Sequence, residues 1–321
     1  MKILIAGGAG YIGSALIPKL LDRGYDVEVV DLCWFGCNLP PQVKVHQKDV
    51  FRVTEDELRV FDQVIFLAGI SNDPMAEFSP AQNFVGNAAA PAFLAYAAKR
   101  AGVKRFIHAG SCSVYGYVED ALFDEESPTT SSYPYGISKL QGEKAVMQLA
   151  APEFSVISFR KGTVSGYSPR MRLDLVVNAM FRSAHAEGVI HVTNPTIWRP
   201  ILSIQDAASA YVRAVEAPPS VSGIFNISSG NYTVGEIADL VRAKLDARGV
   251  STTLRIRHLQ DFRSYKVSSE RARNVLSFKP RSGVEEIVAD LWEHRAAFAN
   301  LDDPNYFNIQ IFRRVNLEGA A

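Results

Sequence analysis

Short runs of apolar and β-branched residues alternate with amphipathic stretches through the first half of the chain. The runs that indicate strands are 2–7, 26–31, 43–49, 63–69, 105–111 and 154–160. The intervening stretches with helical spacing of apolar positions include 12–23, 83–101 and 134–150. Near-continuous apolar strands separated by helices indicate a parallel sheet that is covered on both faces. The pattern therefore predicts an α/β fold with a right-handed, doubly wound parallel sheet of the Rossmann type.

The second half of the chain is less regular. Its helical stretches are 171–187, 205–217, 233–248 and 282–298, and its short apolar runs are 189–192, 200–204 and 223–228. We interpret residues 1–168 as the Rossmann domain and 169–321 as a smaller C-terminal α/β lobe, with 197–230 returning to the main sheet. The stretch 300–321 carries an apolar strip whose role the pattern does not specify.

Composition narrows the class of protein. Lys and Arg number 34, as do Asp and Glu, so no basic excess indicates a nucleic-acid partner. The N-terminal run is short and broken by glycines, unlike a signal peptide, and no apolar run reaches the roughly 18 residues of a membrane span. Cys33, Cys37 and Cys112 are too few for a disulfide scaffold, and no histidine has a metal-site spacing. We expect a cytoplasmic protein with no metal and no membrane partner.

The stretch "KILIAGGAGYIG" is a strand, a glycine turn and the start of a helix. Gly7, Gly10 and Gly13 fit a dinucleotide fingerprint, in which glycines let the backbone approach a pyrophosphate at the helix N-terminus. An ordinary tight turn is the alternative. Asp31 ends the second strand 18 positions after Gly13, close to the roughly 20 expected for an acid that binds the ribose. The combination favours a dinucleotide site.

Asp31 also indicates which dinucleotide binds. A carboxylate accepts hydrogen bonds from the ribose 2′-OH of NAD but repels the 2′-phosphate of NADP. No arginine follows in "LCWFGCNL" to accommodate that phosphate, so we expect NAD. Asp49, at the end of the third strand, is a further candidate for contact with the adenine.

Three residues suit proton transfer beside such a cofactor. Ser111 ends a predicted strand, and ligands bind outside the carboxyl ends of strands in doubly wound sheets. Tyr135 and Lys139 are four residues apart and share a helix face. Free tyrosine has a pKa near ~10, and the charge of Lys139 together with the nicotinamide ring would favour the phenolate. The alternative is an ordinary tyrosine and lysine on an amphipathic helix.

With "GGAGYIG", Asp31, "SCSVYG" and "YGISK", the chain resembles the extended short-chain dehydrogenase/reductases, and among them the nucleotide-sugar epimerases and dehydratases. The resemblance implies tightly held NAD, transient oxidation of a sugar hydroxyl by Tyr135, and a homodimer formed through helices 83–101 and 134–150. The residues expected at the cofactor are Gly7, Gly10, Tyr11, Ile12, Gly13, Asp31, Asp49, Val50, Leu67, Ala68, Gly69, Tyr135 and Lys139.

The resemblance also implies a nucleotide-diphosphate sugar as substrate. Arg199 and Arg263 would bind the diphosphate, because the planar guanidinium bonds phosphate oxygens in pairs. The other residues expected at the substrate are Ser71, Asn72, Ser113 and Asn178. Arg170 and Arg172 lie near the expected substrate loop, and each arginine could instead be a surface or ion-pair residue.

The related 4,6-dehydratases carry an Asp-Glu pair directly after the catalytic Ser or Thr, whereas this chain has Cys112 and Ser113 there. We therefore favour epimerisation, most simply at C4, which regenerates NAD within each turnover. A dehydratase, a decarboxylase and a 4-ketoreductase stay as alternatives, and so does a non-catalytic NAD or sugar-nucleotide sensor. Cys112 is interpreted as a core residue.

Overall fold

The computed structural model describes residues 1–259 and 264–318, and for residues 117–120 and 318 it describes the backbone alone. The strands are β1 Lys2–Ala6, β2 Asp26–Asp31, β3 Lys44–Gln47, β4 Gln63–Phe66, β5 Arg105–Ser111, β6 Tyr117–Phe123, β7 Ser155–Lys161, β8 Thr163–Ser165, β9 Val189–Thr193, β10 Trp198–Ser203, β11 Gly223–Ile227, β12 Gly230–Thr233, β13 Thr253–Arg257 and β14 Ser264–Val267. The helices are α1 Tyr11–Leu21, α2 Glu55–Leu58, α3 Asp73–Phe78, α4 Pro80–Phe84, α5 Ala90–Ala101, α6 Pro134–Met147, α7 Val176–Glu187, α8 Ile204–Glu216, α9 Val234–Asp246, α10 Glu270–Leu276, α11 Val284–Glu293 and α12 Asn308–Glu318.

In the described part of the chain, the largest sheet has seven strands in the order β11-β7-β5-β4-β1-β2-β3, and every neighbouring pair is parallel. The predicted Rossmann fold is confirmed, and each of the six predicted strands of the first half belongs to this sheet. The chain leaves β1 for β2 on one side and later returns to add β4 on the other. This reversal opens a crevice beyond the carboxyl end of β1.

Helices cover both faces of the main sheet, as the apolar strands require. Ile3 and Ile5 belong to the apolar cluster on the face covered by α1 and α8, whereas Leu4 and Ala6 belong to the cluster under α5. This alternation follows from the two-residue period of a strand. The predicted helix 83–101 is interrupted by a π-helical segment at Val85–Ala89 before α5 begins.

A separate apolar cluster holds α7, α9 and α11 together with β9 and β13, and we call these elements the small lobe. The helix predicted at 171–187 begins only at Val176, because residues 168–175 form a loop that reaches back to the start of α1. Ser168 Oγ donates a hydrogen bond to the backbone oxygen of Tyr11 at 2.7 Å. Leu175, at the N-cap of α7, has an extended backbone.

The segment predicted to return to the main sheet divides between two sheets. β10 pairs with β8 and β12 in a three-stranded sheet of the described residues, whereas β11 joins the main sheet beside β7. Between them, α8 packs against α1. The division of the chain into a cofactor domain and a substrate lobe stays a prediction.

The C-terminal stretch forms α12, a helix that the sequence pattern did not identify. Phe312 is buried and its ring lies 5.9 Å from the ring of Trp34, between centroids, and 5.9 Å from the ring of Phe78. These contacts hold α12 across the loops that follow β2 and β4. Within residues 1–259 and 264–318, none of the helices combines the length and apolar character needed to cross a membrane.

Candidate active site

A cavity of about 1100 Å³ lies beyond the carboxyl ends of β1, β4, β5 and β7. Its wall includes the glycine turn after β1, Ser111, Tyr135 and Arg199 on β10. Doubly wound sheets bind their ligands at this position, outside the strand ends where the strand order reverses. The cavity is slightly larger than the roughly 300–1,000 Å³ of most small-molecule sites, which suits more than one small ligand.

The glycine turn after β1 is shaped by close backbone contacts. Gly7 has φ +77°, and a Cβ there would lie 2.4 Å from the backbone nitrogen of Ala68. A Cβ on Gly13 would lie 2.2 Å from the backbone oxygen of Gly8, so α1 starts tight against the turn. Gly7 lies in the cavity wall and Gly13 behind it. This is the bare-backbone cradle that a pyrophosphate needs at a helix N-terminus.

Asp31 is held against this turn at the end of β2. Its carboxylate accepts hydrogen bonds from the backbone N–H of Ala9 at 3.0 Å and of Cys33 at 2.8 Å. Burial raises the pKa of the carboxyl group, and these two backbone donors oppose the rise. The side chain faces the cavity, so a ribose hydroxyl could donate to its remaining lone pairs.

The remaining residues predicted at the cofactor also lie in the cavity wall. They are Gly10, Tyr11, Ile12, Asp49, Val50, Leu67, Ala68, Gly69, Tyr135 and Lys139. Tyr11 also has a structural role. Its hydroxyl donates a hydrogen bond to the backbone oxygen of Gly166 at 2.6 Å and so connects α1 to the segment after β8. The Asp49 carboxylate accepts a bond from the backbone N–H of Phe51 at 2.9 Å, which orients it at the end of β3.

Ser111, Ser113 and Tyr135 meet in the middle of the cavity. Ser113 donates two hydrogen bonds to Ser111 Oγ, from its hydroxyl at 2.8 Å and from its backbone N–H at 3.2 Å. Ser111 is also near the phenol of Tyr135 and opposes the rise in its pKa. Because Ser111 Oγ accepts both bonds from Ser113, its own proton is available for Tyr135 or for a ligand.

The phenol of Tyr135 is not acidic in the protein alone. Burial raises its pKa to about 12, and the charge of Asp73 adds to the rise, whereas Ser111 and Arg172 oppose it. The lowering expected from Lys139 together with the nicotinamide is not supplied by Lys139 alone. The Lys139 amine donates to the backbone oxygen of Ala109 at 3.3 Å and lies 5.9 Å from the centre of the Tyr135 ring. Burial also lowers the pKa of Lys139, to about 8.

A second lysine, which the sequence analysis did not select, lies beside Ser111. Lys161 ends β7 in register with Ser111, and its amine donates to the backbone oxygen of Gly110 at 2.6 Å. Burial and the nearby charge of Lys139 hold the pKa of Lys161 well below its ordinary value. The only available signal was its position at the end of the strand that follows α6.

Ser71 and Asn72 line the cavity, but both bind other side chains there. The Ser71 hydroxyl accepts a bond from Asn308 at 2.6 Å, and the Asn72 amide donates to Asp174 at 3.2 Å. Asp174 also pairs with Arg172, with an Nε–Oδ1 distance of 2.8 Å. These five polar groups join three distant segments across the cavity, and sequence spacing did not reveal Asp174 or Asn308.

The residues predicted at the diphosphate have different positions. Arg199 lies in the cavity wall, and its guanidinium donates to the backbone oxygen of Trp198 at 3.0 Å. Arg263 lies outside the described residues. Asn178 is fully buried behind the wall, where its amide bonds Gly166 and the backbone oxygen of Arg172. The structure therefore uses Asn178 to hold the wall and does not present it to a ligand, contrary to the expectation.

Cys112 follows Ser111 but points away from the cavity. Its side chain is fully buried, and its thiol donates to the backbone oxygen of Arg160 at 3.1 Å. Burial raises the pKa of this thiol far above its ordinary value. A thiol in this state is a core group and not a base.

Comparisons with known proteins agree with this geometry. A family model described as the NAD dependent epimerase/dehydratase family matches residues 3–228. The UDP-glucose 4-epimerase of Streptomyces lividans is 27% identical over 316 residues, which cover 91% of this chain and 95% of that protein. The UDP-glucose 4-epimerase of Bacillus subtilis (strain 168) is 26% identical over 333 residues, covering 94% and 98%. The solved structure of MoeE5 in complex with UDP-glucuronic acid and NAD is 26% identical, covers 92% of this chain and 100% of its own, and has a TM-score of 0.80.

Proposed function

Because this chain belongs to the NAD-dependent epimerase/dehydratase family, we propose that it epimerises a UDP-sugar at C4 through a transient keto-sugar. Its cofactor is NAD, and the glycine cradle and Asp31 fit that group. The UDP-glucose 4-epimerases named above support the position of the reaction and the nucleotide. The bound UDP-glucuronic acid of MoeE5 makes a sugar acid a second candidate substrate.

The main support for this proposal is that a single continuous cavity is lined by all the groups that the reaction needs. One space is lined by the dinucleotide cradle, by Ser111 and Tyr135, and by Arg199. A nucleotide sugar whose diphosphate approaches Arg199 would extend its sugar towards Tyr135. An enzyme that oxidises a sugar hydroxyl needs its cofactor, its proton acceptor and its substrate to share one site.

In this proposal Tyr135 accepts the proton of the sugar hydroxyl while the carbon–hydrogen bond breaks, and the carbonyl forms. NAD supplies the hydride acceptor and, in the return step, the hydride donor. Ser111 donates its hydrogen bond first to the hydroxyl oxygen and then to the carbonyl oxygen. Tyr135 returns its proton after the sugar has presented the opposite face, so protons and electrons balance over one turnover. The positive charge of the oxidised cofactor supplies the stabilisation of the phenolate that Lys139 alone does not.

Two observations support epimerisation over dehydration. The position after Ser111 is occupied by the buried thiol of Cys112, and the next by Ser113, whose hydroxyl is bonded to Ser111. Neither group supplies the carboxylate acid and base with which the related dehydratases eliminate water. The polar groups beside Tyr135 suit proton transfer at one carbon.

The direct test is to incubate the purified protein with UDP-glucose, UDP-galactose and UDP-glucuronic acid, and to follow the products by NMR and absorbance at 340 nm. A C4 epimer with no net change in absorbance is the expected result. A 4-keto-6-deoxy product would identify a dehydratase, release of carbon dioxide a decarboxylase, and net consumption of added reduced cofactor a reductase. Binding without conversion of any of them would indicate a sensor.

We also propose a homodimer formed through α5 and α6, which the family resemblance supports. Tyr96 on α5 exposes 54% of its surface in the single chain, which suits a contact with a second copy. Light scattering should give twice the chain mass, and Tyr96→Glu should reduce it; a monomeric wild type would contradict this. We propose a cytoplasmic location because Cys33, Cys37 and Cys112 are free thiols, and cell fractionation would test it.

A further inference from the structure

Arg170 is a buried cation in the wall of the cavity. Its side chain belongs to the 168–175 loop and is 3% exposed. The guanidinium lies 3.8 Å from the centre of the Phe35 ring, and its Nη2 donates to Asn308 Oδ1 at 2.5 Å. Phe35 belongs to the loop after β2 and Asn308 begins α12, so Arg170 is held between two elements that are distant in sequence.

This guanidinium has no direct ion-pair partner among the described residues, although the charges of Asp174 and Asp31 act on it from a distance and oppose the lowering of its pKa. Among the described residues, no carboxylate forms an ion pair with Arg170, and its buried Nε has no hydrogen-bond partner. Burial and the nearby charge of Arg172 lower its pKa to about 9, so it keeps its charge at neutral pH. A buried charge without a counter-ion is costly, and buried guanidinium groups are normally paired. The side chain is therefore suited to an anion that the folded chain itself does not contain.

The position of Arg170 indicates which anion this is. Ser168, two residues earlier, is bonded to the backbone oxygen of Tyr11, the first residue of α1. The charge of Arg170 acts on Asp31 at the end of β2 and opposes the rise in the pKa of that carboxyl group. The Phe35 ring that Arg170 contacts belongs to the loop directly after Asp31, and Arg170, Asp31 and the glycine turn line one cavity, in which the helix N-terminus favours a diphosphate.

We propose that Arg170 binds the pyrophosphate of NAD and completes the dinucleotide site from the opposite side of the cavity. The glycine turn offers backbone N–H groups to one side of the diphosphate, and Arg170 offers the planar donors of its guanidinium to the other. Asn308 is a positioning residue, since its amide oxygen holds Nη2 of Arg170. The inference concerns the cofactor and does not depend on which sugar, or which carbon, is epimerised.

The test measures the affinity for NAD of Arg170→Gln and Arg170→Lys by calorimetry, together with the NAD content of each purified protein. Loss of a charge-assisted hydrogen bond should weaken NAD about ten- to a hundredfold in Arg170→Gln. Arg170→Lys keeps the positive charge but loses the planar, bidentate geometry of the guanidinium, so its loss of NAD affinity should be smaller. Arg242→Gln, on the exposed face of α9, is the matched control and should bind NAD like the wild type.

Two further measurements separate a ligand role from a structural one. The NAD-free Arg170→Gln protein should unfold at a temperature no lower than the wild type, because an unpaired buried charge is removed, while the stabilisation by added NAD should shrink. Asn308→Asp would give Arg170 a counter-ion inside the protein and should therefore weaken NAD. Unchanged or tighter NAD binding in Asn308→Asp would overturn the proposal even if Arg170→Gln failed to fold.

The alternative ligand for Arg170 is the diphosphate of the substrate, which has the same chemical groups as the pyrophosphate of NAD. UDP binding to the NAD-loaded Arg170→Lys and Arg170→Gln proteins should stay within about twofold of the wild type. A loss of UDP affinity with unchanged NAD affinity would assign Arg170 to the substrate and overturn the proposal. Unchanged affinity for both would make Arg170 a structural residue, which also overturns it. Neither outcome bears on turnover at C4, which product NMR measures separately.

Discussion

Replacing Tyr135 with phenylalanine removes one oxygen atom from the middle of the cavity and leaves the ring in place. The residue belongs to α6 and lines the cavity, and Ser111 lies near its phenol. If Tyr135 carries the proton in both directions, Tyr135→Phe should lose nearly all turnover. NAD should stay bound, because the glycine cradle and Asp31 are untouched.

The magnitude follows from the surroundings of the phenol. A positioned acid or base contributes roughly 10²- to 10⁴-fold to a rate, which corresponds to about 3–5.5 kcal/mol of activation free energy. Any hydrogen bond that the phenol makes is worth about 1 kcal/mol of stability, and removal of a buried hydroxyl offsets part of it. The variant should therefore fall by several orders of magnitude in kcat while its unfolding free energy changes by less than about 1 kcal/mol.

The assay combines product NMR for kcat with nucleotide analysis of the purified protein for NAD content. Tyr133→Phe is the matched control, since Tyr133 is the N-cap residue of α6 and lies outside the cavity wall. It should keep wild-type turnover. Turnover in Tyr135→Phe within tenfold of the wild type would refute the assigned role. An equal loss in both variants would attribute the effect to the start of α6 and not to the phenol.

Three other perturbations have expected outcomes. Asp31→Ala should weaken NAD and reduce discrimination against NADP, because it removes the carboxylate at the ribose; titration with both cofactors measures this, and an unchanged preference would contradict it. Burial lowers the pKa of Lys139 to about 8 from 10.5, so above about pH 8 the unfolded chain binds more protons at this position and the free energy of unfolding should rise with pH up to about pH 10. The contribution of Lys139 to this rise approaches roughly 1.4 kcal/mol per pH unit. The unfolding free energy of Lys139→Met, measured by denaturation at several pH values, should therefore rise less steeply with pH than that of the wild type. Equal slopes in the two proteins would contradict the assigned pKa of Lys139. Glu143 and Arg160 form a buried pair with an oxygen–nitrogen distance of 2.7 Å, and Glu143→Gln should cost about 3–5 kcal/mol in urea unfolding, whereas a change below 1 kcal/mol would show that the pair is dispensable.

The sequence predicted the strands of the main sheet well because buried parallel strands are apolar on both faces. β1 and β5 were found within a residue or two of their observed bounds. Helix starts in the small lobe were harder to predict. Apolar spacing from 171 onwards suggested a helix, but Arg170, Arg172 and Asp174 line the cavity from a loop, and the helix begins only at Val176. Spacing does not distinguish an apolar residue on a helix from one in a buried loop.

The residues of the candidate site also divide into those that the sequence predicted and those that it did not. Gly7, Asp31 and the pair Tyr135–Lys139 were recognisable because each depends on local geometry, namely a tight turn, a strand end and one helix face. The pKa of Tyr135 was not predictable, since burial outweighs the nearby cation. Asn178 was expected at the substrate, yet its amide is used within the wall. These differences depend on which atoms surround a side chain in the folded protein, and the spacing of residues along the sequence does not determine those surroundings.

The sequence by itself determined the Rossmann sheet, the phosphate-binding turn and the order of Ser111, Tyr135 and Lys139. These features depend on short-range geometry and on the periodicity of buried strands, and both are set by residues that are close in sequence. Only the tertiary structure decided that Arg170 is buried in the cavity wall with no direct ion pair among the described residues, and that Asn308 of α12 holds it there. The physical reason is that the charge of a buried group must be balanced by whatever surrounds it in space. Residues 31, 170 and 308 become neighbours only when the chain has folded.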